Sequence, residues 1–428
     1  MSEPLTQSVI AMDLVPFRFG PGATAEVTDE LRRLSARRVL LVTDPALRRH
    51  GLVDRVEAAI RDAGAEVTTL ERVHIEPTDR SLREAIEFAQ RVRPDAYVSL
   101  GGGSTIDTAK AMNLFTTYPA DLFDYLNKPI GKGLPVPGPL APHIALPTTA
   151  GTGSETTAVI ALELSERRLK TGISHRYIRP TIAIVDPLNT VTCPPMVTAF
   201  AGLDVLCHAI ESYTAKPYNV RPRPASAAER PAYIGSNPIA DLWSAQAIRW
   251  AAKYLRRAFF APLDLEARTF MAMASLTAGI GFGNAGVHIP HAMSYPIAGM
   301  VREFFPPDYD VDEPLIPHGL AVVVGAPAAL RFTAVSWPER HAEVAQMLGI
   351  DTRGMPMRAA AEAVAEALLQ LMRDLGLPSG LEELGFSEKD IPTLVEGTLA
   401  QQRILVNSPR PVDERALTEI FRQAMRYW

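Results

Sequence analysis

The sequence lacks the features that mark several classes of protein. Its 428 residues include two cysteines, Cys193 and Cys207, a number that excludes a disulfide framework and fits a reducing cytoplasm. No uninterrupted apolar run approaches the roughly 20 residues of a membrane span. The N-terminus lacks a basic region followed by an apolar core, and it lacks the arginine-rich start of a transit peptide. We therefore predict a cytoplasmic protein that does not bind a membrane.

Charge of one sign is not in large excess either. The formal net charge is -5 and the pI is about 6.0, so nucleic acids and anionic membranes are not expected as partners. Apolar residues make up 47% of the chain and charged residues 21%, a composition typical of a globular enzyme. The length is too great for a single core and predicts two domains, with three as the alternative.

The pattern of apolar and polar residues changes near residue 190. Before it, short β-branched runs alternate with amphipathic helical patterns, which predicts a mostly parallel sheet covered on both faces. The predicted strands are 39–43, 67–70, 96–100, 144–146 and 181–185, and the helices between them include 52–63 and 81–92. Beyond it, long helical patterns dominate, at 240–257, 265–278 and 357–375. We predict an α/β domain over residues 1–190 and an all-α domain over residues 191–428.

Four residues of the predicted helical domain have side chains that suit a metal. Asp204 and His208 are four apart in a helical pattern, so both project from one face of the helix. His291 lies in His-Ile-Pro-His-Ala-Met and His318 in Pro-His-Gly. One carboxylate and three imidazoles suit iron or zinc and suit calcium or magnesium poorly. Cys207 faces another side of the helix, and we predict that it is packed.

Two glycine-rich loops follow predicted strands of the first domain. In the loop of Gly101, Gly102, Gly103, Ser104 and Thr105, the backbone can approach a pyrophosphate, and the following helix N-terminus attracts the anion. The loop is not Gly-x-Gly-x-x-Gly, and a tight turn without a ligand is the alternative. The second loop, residues 147–156, also combines glycines with hydroxyl groups. Both follow strand carboxyl ends and are expected to converge on one crevice.

Asp44 ends the first predicted strand. A carboxylate at this position can bind the ribose diol of adenosine and repel a 2′-phosphate, which favours NAD over NADP. The alternative is a plain helix N-cap.

The segment 216–237, which we call the insert, carries four prolines together with Arg221, Arg223 and Arg230. A stretch this long without regular structure is uncommon inside a helical domain and is often functional. The alternative is a solvated loop.

Taken together, these motifs resemble the iron-containing alcohol dehydrogenase family. The resemblance depends on Gly-Gly-Gly-Ser-x-x-Asp-x-x-Lys, Pro-Thr-Thr-x-Gly-Thr-Gly-Ser-Glu, Asp-x-x-x-His, His-Ala-Met and Pro-His-Gly, in that order. It implies a Rossmann-like nucleotide domain followed by a helical metal domain, an architecture like that of dehydroquinate synthase, and a homo-oligomer. The implied metal, Fe²⁺ with Zn²⁺ as the alternative, has Asp204, His208, His291 and His318 as ligands. The implied NAD contacts are Asp44, Gly101, Gly102, Gly103, Ser104, Thr105, Thr148, Thr149, Thr152 and Lys170.

The chain departs from the family pattern at one position. Most members carry a histidine four residues after the third ligand, often assigned to proton relay, and here that position is Tyr295. His288 lies three residues before His291 instead. Tyr295, His288 and bulk water all remain open as the proton path.

Within the family, the chain is similar to the hydroxyacid-oxoacid transhydrogenases. The similarity depends on Gly-Phe-Gly-Asn-Ala-Gly-Val-His at 281–288, Met-Ser-Tyr-Pro at 293–296, and the end of the insert, Arg-Pro-Ala-Tyr-Ile-Gly-Ser-Asn-Pro-Ile. It implies hydride transfer from 4-hydroxybutyrate to 2-oxoglutarate through nicotinamide that stays bound. Carboxylate substrates favour arginine, so Arg221, Arg223 and Arg230 are candidate substrate ligands.

Three alternatives stay open at this point. The same site would serve an ordinary iron-dependent NAD alcohol dehydrogenase that releases NADH and acts on an alcohol, a hydroxy acid or an oxo acid. A lyase of the dehydroquinate synthase kind would also use NAD and a metal, but the Asp-x-x-x-His helix argues against it. A structural metal-binding protein would leave the two glycine-rich loops unexplained.

Overall fold

The computed structural model describes residues 6–167 and 169–428. These residues form two compact units, which we call the sheet unit and the helical unit. The sheet unit consists of Leu14–Pro194 and Pro262–Ala272. The helical unit consists of the described residues up to Asp13, Pro195–Ala261 and Met273–Trp428. The domain limits predicted from the sequence, 1–190 and 191–428, stay a prediction.

The sheet unit is built on six parallel strands in the order β1-β8-β5-β4-β2-β3, beside a separate two-stranded hairpin. The strands are β1 Phe17–Phe19, β2 Arg38–Val42, β3 Glu66–Leu70, β4 Ala96–Gly101, β5 His143–Pro147, β6 Val159–Leu164, β7 Leu169–Ser174 and β8 Ile182–Val185. The helices are α1 Val27–Arg33, α2 Pro45–Arg49, α3 Leu52–Asp62, α4 Asp79–Val92, α5 Gly103–Thr117 and α6 Leu122–Tyr125.

Alternate residues of the central strands face opposite layers of helices, because side chains of a strand point to opposite faces. Leu41 and Val98 belong to a core shared with α1 and α3, whereas Leu40 and Tyr97 pack with α4 and α5. All four side chains are almost completely buried. Burial on both faces explains why the strands are continuously apolar, and it confirms the predicted parallel, Rossmann-like sheet.

Two features of the sheet unit were not predicted. The antiparallel hairpin of β6 and β7 pairs Val159 with Ser174 and Leu164 with Leu169. Strand β1 is three residues long and pairs with β8. Both escape a search for alternation of strands and helices. Strand β1 is too short to show a period, and the strands of the hairpin are joined by a short segment that holds a 3-10 turn, Ser165–Arg167, in place of an amphipathic α-helix.

The helical unit contains the remaining helices, with α9 shared between the two sets of residues. They are α7 Pro195–Thr214, α8 Pro238–Phe260, α9 Leu265–Ala285, α10 Ile289–Gly299, α11 His318–Val323, α12 Ala326–Ala334, α13 Pro338–Met347, α14 Met357–Asp374, α15 Ile391–Leu399, α16 Gln402–Leu405 and α17 Glu414–Ala424. Of the helices described, none is long and apolar enough alone to cross a membrane. The pair α9 and α10, bent by 102°, passes that test only when combined.

Local sequence signals set the ends of these helices. Asn237 caps α8 by accepting hydrogen bonds from the backbone N–H groups of Ile239 and Ala240, and Pro238 occupies its first turn. The predicted start at residue 240 was therefore slightly late. Helix α14 ends before Gly376, whose φ of +70° is the left-handed conformation that glycine adopts readily. Helix α7 is buried along most of its length, so its polar residues face the protein interior.

Candidate metal centre and nucleotide loops

Three helices of the helical unit bring the four predicted ligands together. Asp204 and His208 lie on the same face of α7, His291 is in the first turn of α10, and His318 is the first residue of α11. One ligand atom from each residue lies within 4.8 Å of all the others. Sequence spacing predicted only that Asp204 and His208 lie together on α7. His291 and His318 join them because α10 and α11 pack against the rest of the helical unit.

Distances from the carboxylate fit a metal cage. Asp204 Oδ1 is 3.5 Å from His291 Nε2 and 3.9 Å from His318 Nε2, and Asp204 Oδ2 is 3.7 Å from His208 Nδ1. Ligands about 2.1 Å from a tetrahedral ion are separated by about 3.4 Å. Asp204 Oδ1, His208 Nδ1 and His291 Nε2 are buried without a hydrogen-bond partner. Buried polar atoms are rarely left unsatisfied, so this donor set fits a divalent metal.

Glu211 positions one of these ligands and was missed by the sequence reasoning. Its carboxylate accepts hydrogen bonds from His291 Nδ1 at 2.5 Å and from the backbone N–H of His288 at 2.7 Å. A carboxylate on Nδ1 fixes the ring tautomer and leaves Nε2 free to bind a metal. The signal was present in the sequence, because Glu211 is seven residues after Asp204 and lies on the same face of α7.

Burial and charge shift the pKa values of this cluster in different directions. Burial opposes ionisation of Asp204, but the charges of His208 and His318 hold its carboxyl pKa well below the usual range. Burial lowers the pKa of His208 to about 3. Burial also acts to lower the pKa of His291, but Glu211 and Asp204 raise it to about 9. A neutral His208 and an ionised Asp204 are the forms that bind metals.

Two contacts fix the ligand geometry further. The ring of His208 stacks on Phe282, with centroids 3.9 Å apart and an interplanar angle of 4°. At Gly319, a Cβ atom would lie 2.1 Å from the carbonyl oxygen of Phe200 on α7. Glycine therefore allows α11 to begin directly against α7, which accounts for glycine after His318 in the Pro-His-Gly motif.

The two glycine-rich loops meet in the sheet unit. Gly101 of β4 pairs with Pro147 of β5, so the loops leave adjacent strands at the same edge. At Gly103, the first residue of α5, a Cβ atom would lie 2.7 Å from the side chain of Thr152. Thr149 approaches Gly102 in the same way, at 3.5 Å. Strand pairing thus brings the predicted cofactor residues of both loops into contact, including Thr148, which donates to Gly101.

Lys170 reaches the first loop through Glu76, a residue that the sequence reasoning missed. Lys170 Nζ lies 2.5 Å from Glu76 Oε2, and the Glu76 backbone N–H donates to Ser104 Oγ. Glu76 has a φ of 58°, a conformation uncommon outside glycine. Lys170, predicted from the family pattern alone, therefore lies next to the nucleotide loop. Thr105 is buried at the start of α5.

Asp44 caps a helix in this structure. Its Oδ1 accepts hydrogen bonds from the backbone N–H groups of Ala46 and Leu47 at the start of α2. Burial raises the pKa of this carboxyl group, against the lowering effect of the two backbone hydrogen bonds. The cap role, weighed as the alternative, is thus present. It does not decide whether Asp44 also contacts a ribose, which stays a prediction.

The three insert arginines differ in their surroundings. Arg221 donates to the carbonyl of Tyr233 within the insert and to the side chain of Asn407, so its guanidinium joins the insert to a distant segment of the same unit. Arg223 is exposed and Arg230 is partly buried. Their roles in substrate binding stay predictions.

The two candidate proton-path residues are seven residues apart, about two helical turns, at the start of α10. His288 precedes α10, is completely buried, and has its Nε2 3.1 Å from Thr214 Oγ1. Tyr295 lies one helical turn after His291 and is 8% exposed. Neither proton role is tested by this geometry.

Two family models match this chain, one in its N-terminal part and one in its C-terminal part. Residues 16–187 match the family model described as iron-containing alcohol dehydrogenase, and residues 227–425 match the C-terminal model of the same family. The chain belongs to the iron-containing alcohol dehydrogenase family. The predicted family is confirmed, and with it the prediction of a metal-dependent, NAD-linked oxidoreductase.

Several relatives of this dehydrogenase chain carry a more specific name. Over 425 residues it is 48% identical to proteins of Bos taurus and of Homo sapiens named hydroxyacid-oxoacid transhydrogenase, mitochondrial. The match covers 99% of this chain and 91% of each relative. The predicted cytoplasmic location is wrong, since these relatives are named mitochondrial. Two cysteines exclude a disulfide framework, but they do not distinguish one reducing compartment from another.

Solved structures confirm the dehydrogenase fold. A 1,3-propanediol oxidoreductase superposes with a TM-score of 0.85 at 32% identity, covering 98% of this chain and all of the other. A sulfoacetaldehyde reductase from Bifidobacterium kashiwanohense, solved in complex with NAD⁺, superposes with a TM-score of 0.80 at 27% identity and covers 98% of this chain and 99% of its own. The predicted α/β nucleotide domain followed by a helical domain is therefore confirmed.

Proposed function

We propose that this enzyme is a hydroxyacid-oxoacid transhydrogenase that uses iron and NAD and acts as a homo-oligomer. It would oxidise a hydroxy acid such as 4-hydroxybutyrate and reduce an oxo acid such as 2-oxoglutarate, with nicotinamide retained between the two half-reactions. The observation that carries the proposal is the caged set of Asp204, His208, His291 and His318 in a chain 48% identical to enzymes of that name.

The four ligands would hold the metal, and Glu211 would hold the proton on His291 Nδ1 so that Nε2 faces the ion. When bound, iron lowers the pKa of a hydroxyl group and NAD accepts a hydride. Asp204, His208 and His291 are each at most 4% exposed, so bulk water has little access to these three side chains, whereas the side chain of His318 is 28% exposed. Tyr295 and His288 remain the candidates for moving the hydroxyl proton.

The glycine-rich loops would place the cofactor. Gly101 and Gly102 lead from β4 into α5, which begins at Gly103, and the free N–H groups at this helix N-terminus would favour a pyrophosphate. Thr148, Thr149 and Thr152 would add hydroxyl groups from the second loop, and Lys170 would add an ammonium group that Glu76 holds near the first loop. Asp44 would accept the ribose diol and disfavour a 2′-phosphate, which selects NAD.

The test uses protein loaded with iron and stripped of free nucleotide. It is incubated with 4-hydroxybutyrate and 2-oxoglutarate without added NAD, and 2-hydroxyglutarate is followed over time. Many turnovers per protein chain are expected, because the hydride passes from one substrate to the other through retained cofactor. No product, with NADH formed once NAD and an alcohol are supplied, would make the enzyme an ordinary dehydrogenase and refute the proposal.

A further inference from the structure

An arginine lies beside the helix that carries the third metal ligand. Arg403 of α16 interacts with the hydroxyl groups of Tyr295 on α10 and Tyr233 in the insert. Its guanidinium carbon is 5.3 Å from the centre of the Tyr233 ring. The two tyrosines are 8% and 9% exposed, and Arg403 is partly buried. We call these three residues the Arg403 cluster.

The positive charge of this cluster is not neutralised by the protein. Among residues 6–167 and 169–428, no carboxylate forms an ion pair with Arg403. Other arginines of the helical unit do have one, such as Arg302 with Asp390 and Arg340 with Asp241. Burial opposes the charge of Arg403, but the two tyrosines raise its pKa, so it remains protonated. A partly buried guanidinium without a counter-ion is a place where an anionic ligand gains affinity.

The cluster is close to the metal ligands. Tyr295 follows His291 by four residues in α10, and residues at this spacing lie on one face with Cβ atoms about 5–6 Å apart. Tyr295 is therefore a neighbour of the metal ligand His291 on α10, and Arg403 contacts Tyr295. A short organic acid held at the metal ligands would extend along this face of α10 toward Arg403.

The insert supplies the second tyrosine through a close contact. Gly286 has a φ of +95°. A Cβ atom added to it would lie 2.8 Å from Tyr233 Cβ and 2.6 Å from Asn407 Nδ2, so glycine allows both residues to approach the backbone here. Asn407 also accepts from Arg221, so Arg221 holds the insert against the segment that follows α16. Arg221 thus positions Tyr233, which in turn lies against Arg403.

We propose that Arg403, with the hydroxyl groups of Tyr233 and Tyr295, binds the carboxylate of the substrate acid. The proposal rests on the proposed function and names the residue that selects acids over neutral alcohols. In both 4-hydroxybutyrate and 2-oxoglutarate, a carboxylate is three carbon-carbon bonds from the reacting carbon. One guanidinium can therefore serve the donor and the acceptor in turn, through two parallel hydrogen bonds.

The first experiment measures kcat/KM for oxidation of 4-hydroxybutyrate and of 1-butanol, in which a methyl group replaces the carboxylate. In Arg403→Gln, the ratio of the two values should fall by about 100-fold, mainly through KM of the acid, because a charged hydrogen-bonded partner is lost. Arg403→Lys keeps the charge and should lose less. Arg410→Gln is the matched control, since Arg410 also lies over an aromatic ring, 4.0 Å from the centre of Phe332, and its ratio should stay at the wild-type value.

A second measurement separates this inference from the proposed function. Butyrate should inhibit butanol oxidation competitively in the wild type, and Arg403→Gln should abolish that inhibition. An unchanged acid-to-alcohol ratio together with unchanged butyrate inhibition would refute the role of Arg403, even in a working transhydrogenase. Arg403-dependent inhibition in an enzyme that fails to transfer hydride between acids would refute the proposed function and leave the carboxylate site standing.

Discussion

Removal of the Glu211 charge is the sharpest test of how the metal site is organised. Glu211 is 1% exposed and accepts from His291 Nδ1 at 2.5 Å and from the backbone of His288 at 2.7 Å. In Glu211→Gln the side chain keeps its shape and one acceptor oxygen but loses the charge that fixes the His291 tautomer. The variant should therefore fold and bind metal more weakly.

The expected loss follows from the lost interaction. Carboxylates that orient a metal-binding histidine are worth about 10–100-fold in metal affinity, or roughly 1.4–2.7 kcal/mol. This agrees with the roughly 1.5–3 kcal/mol of a hydrogen bond to a charged group. The short contact and nearly complete burial favour the upper half of the range, since solvent cannot replace the lost carboxylate.

The assay is metal binding, independent of turnover. Protein stripped with a chelator is titrated with Zn²⁺ in competition with a chromophoric chelator, and Kd is compared with that of the wild type. Glu343→Gln is the control. Glu343, on α13, accepts a hydrogen bond from Tyr213, which lies on α7 as Glu211 does, and Glu343 does not contact a metal ligand. A Glu211→Gln variant with wild-type Kd and an unchanged melting temperature would show that Glu211 does not position His291.

Three further predictions use single substitutions. Asp44→Ala should weaken NAD binding and relax the rejection of NADP, at a cost of about 1 kcal/mol from the lost cap; Asp44→Ser keeps the cap, and unchanged NAD/NADP selectivity in both would remove Asp44 from this role. His291→Ala should lose nearly all turnover while its circular dichroism stays native, and normal turnover at full metal content would contradict its assignment. Burial raises the pKa of Glu155 from 4.5 to about 7, so folding takes up a proton in that range. The stability this provides is complete below pH 4.5 and is lost as the pH rises through about 7, by at most roughly 3 kcal/mol. Glu155→Gln should flatten this fall in denaturant unfolding, and an unchanged pH profile would argue against it.

Strong periodic signals predicted the central strands and several of the helices within a few residues. The parallel sheet followed from continuous apolar strands separated by amphipathic helices, and the end of α14 followed from Gly376. The β6–β7 hairpin and the three-residue β1 carried no comparable signal. The position of β1 depends on pairing with β8, which is distant in sequence, and local patterns do not encode such a contact.

The candidate site divides in a similar way. Asp204 and His208 were predicted from helical spacing, and the remaining ligands from motifs of the family. Glu211 was overlooked although its spacing placed it on the same face of α7. Arg403 had no signal, since it lies in a short helix more than one hundred residues from Tyr295. The arginines of segment 216–237 were noticed because of their local composition, whereas Arg403 lies outside that segment.

By itself the sequence determined the chemistry available to this protein: a carboxylate and three imidazoles for a metal, and glycine with hydroxyl groups for a dinucleotide. Local spacing was sufficient for this, because residues three or four apart on a helix necessarily share a face. Tertiary structure alone decided which side chains complete the site. The packing of α10 and α11 against the unit placed Glu211 on His291, and α16 placed Arg403 beside Tyr295. Such contacts arise from packing between distant segments, where burial makes each charge depend on its neighbours.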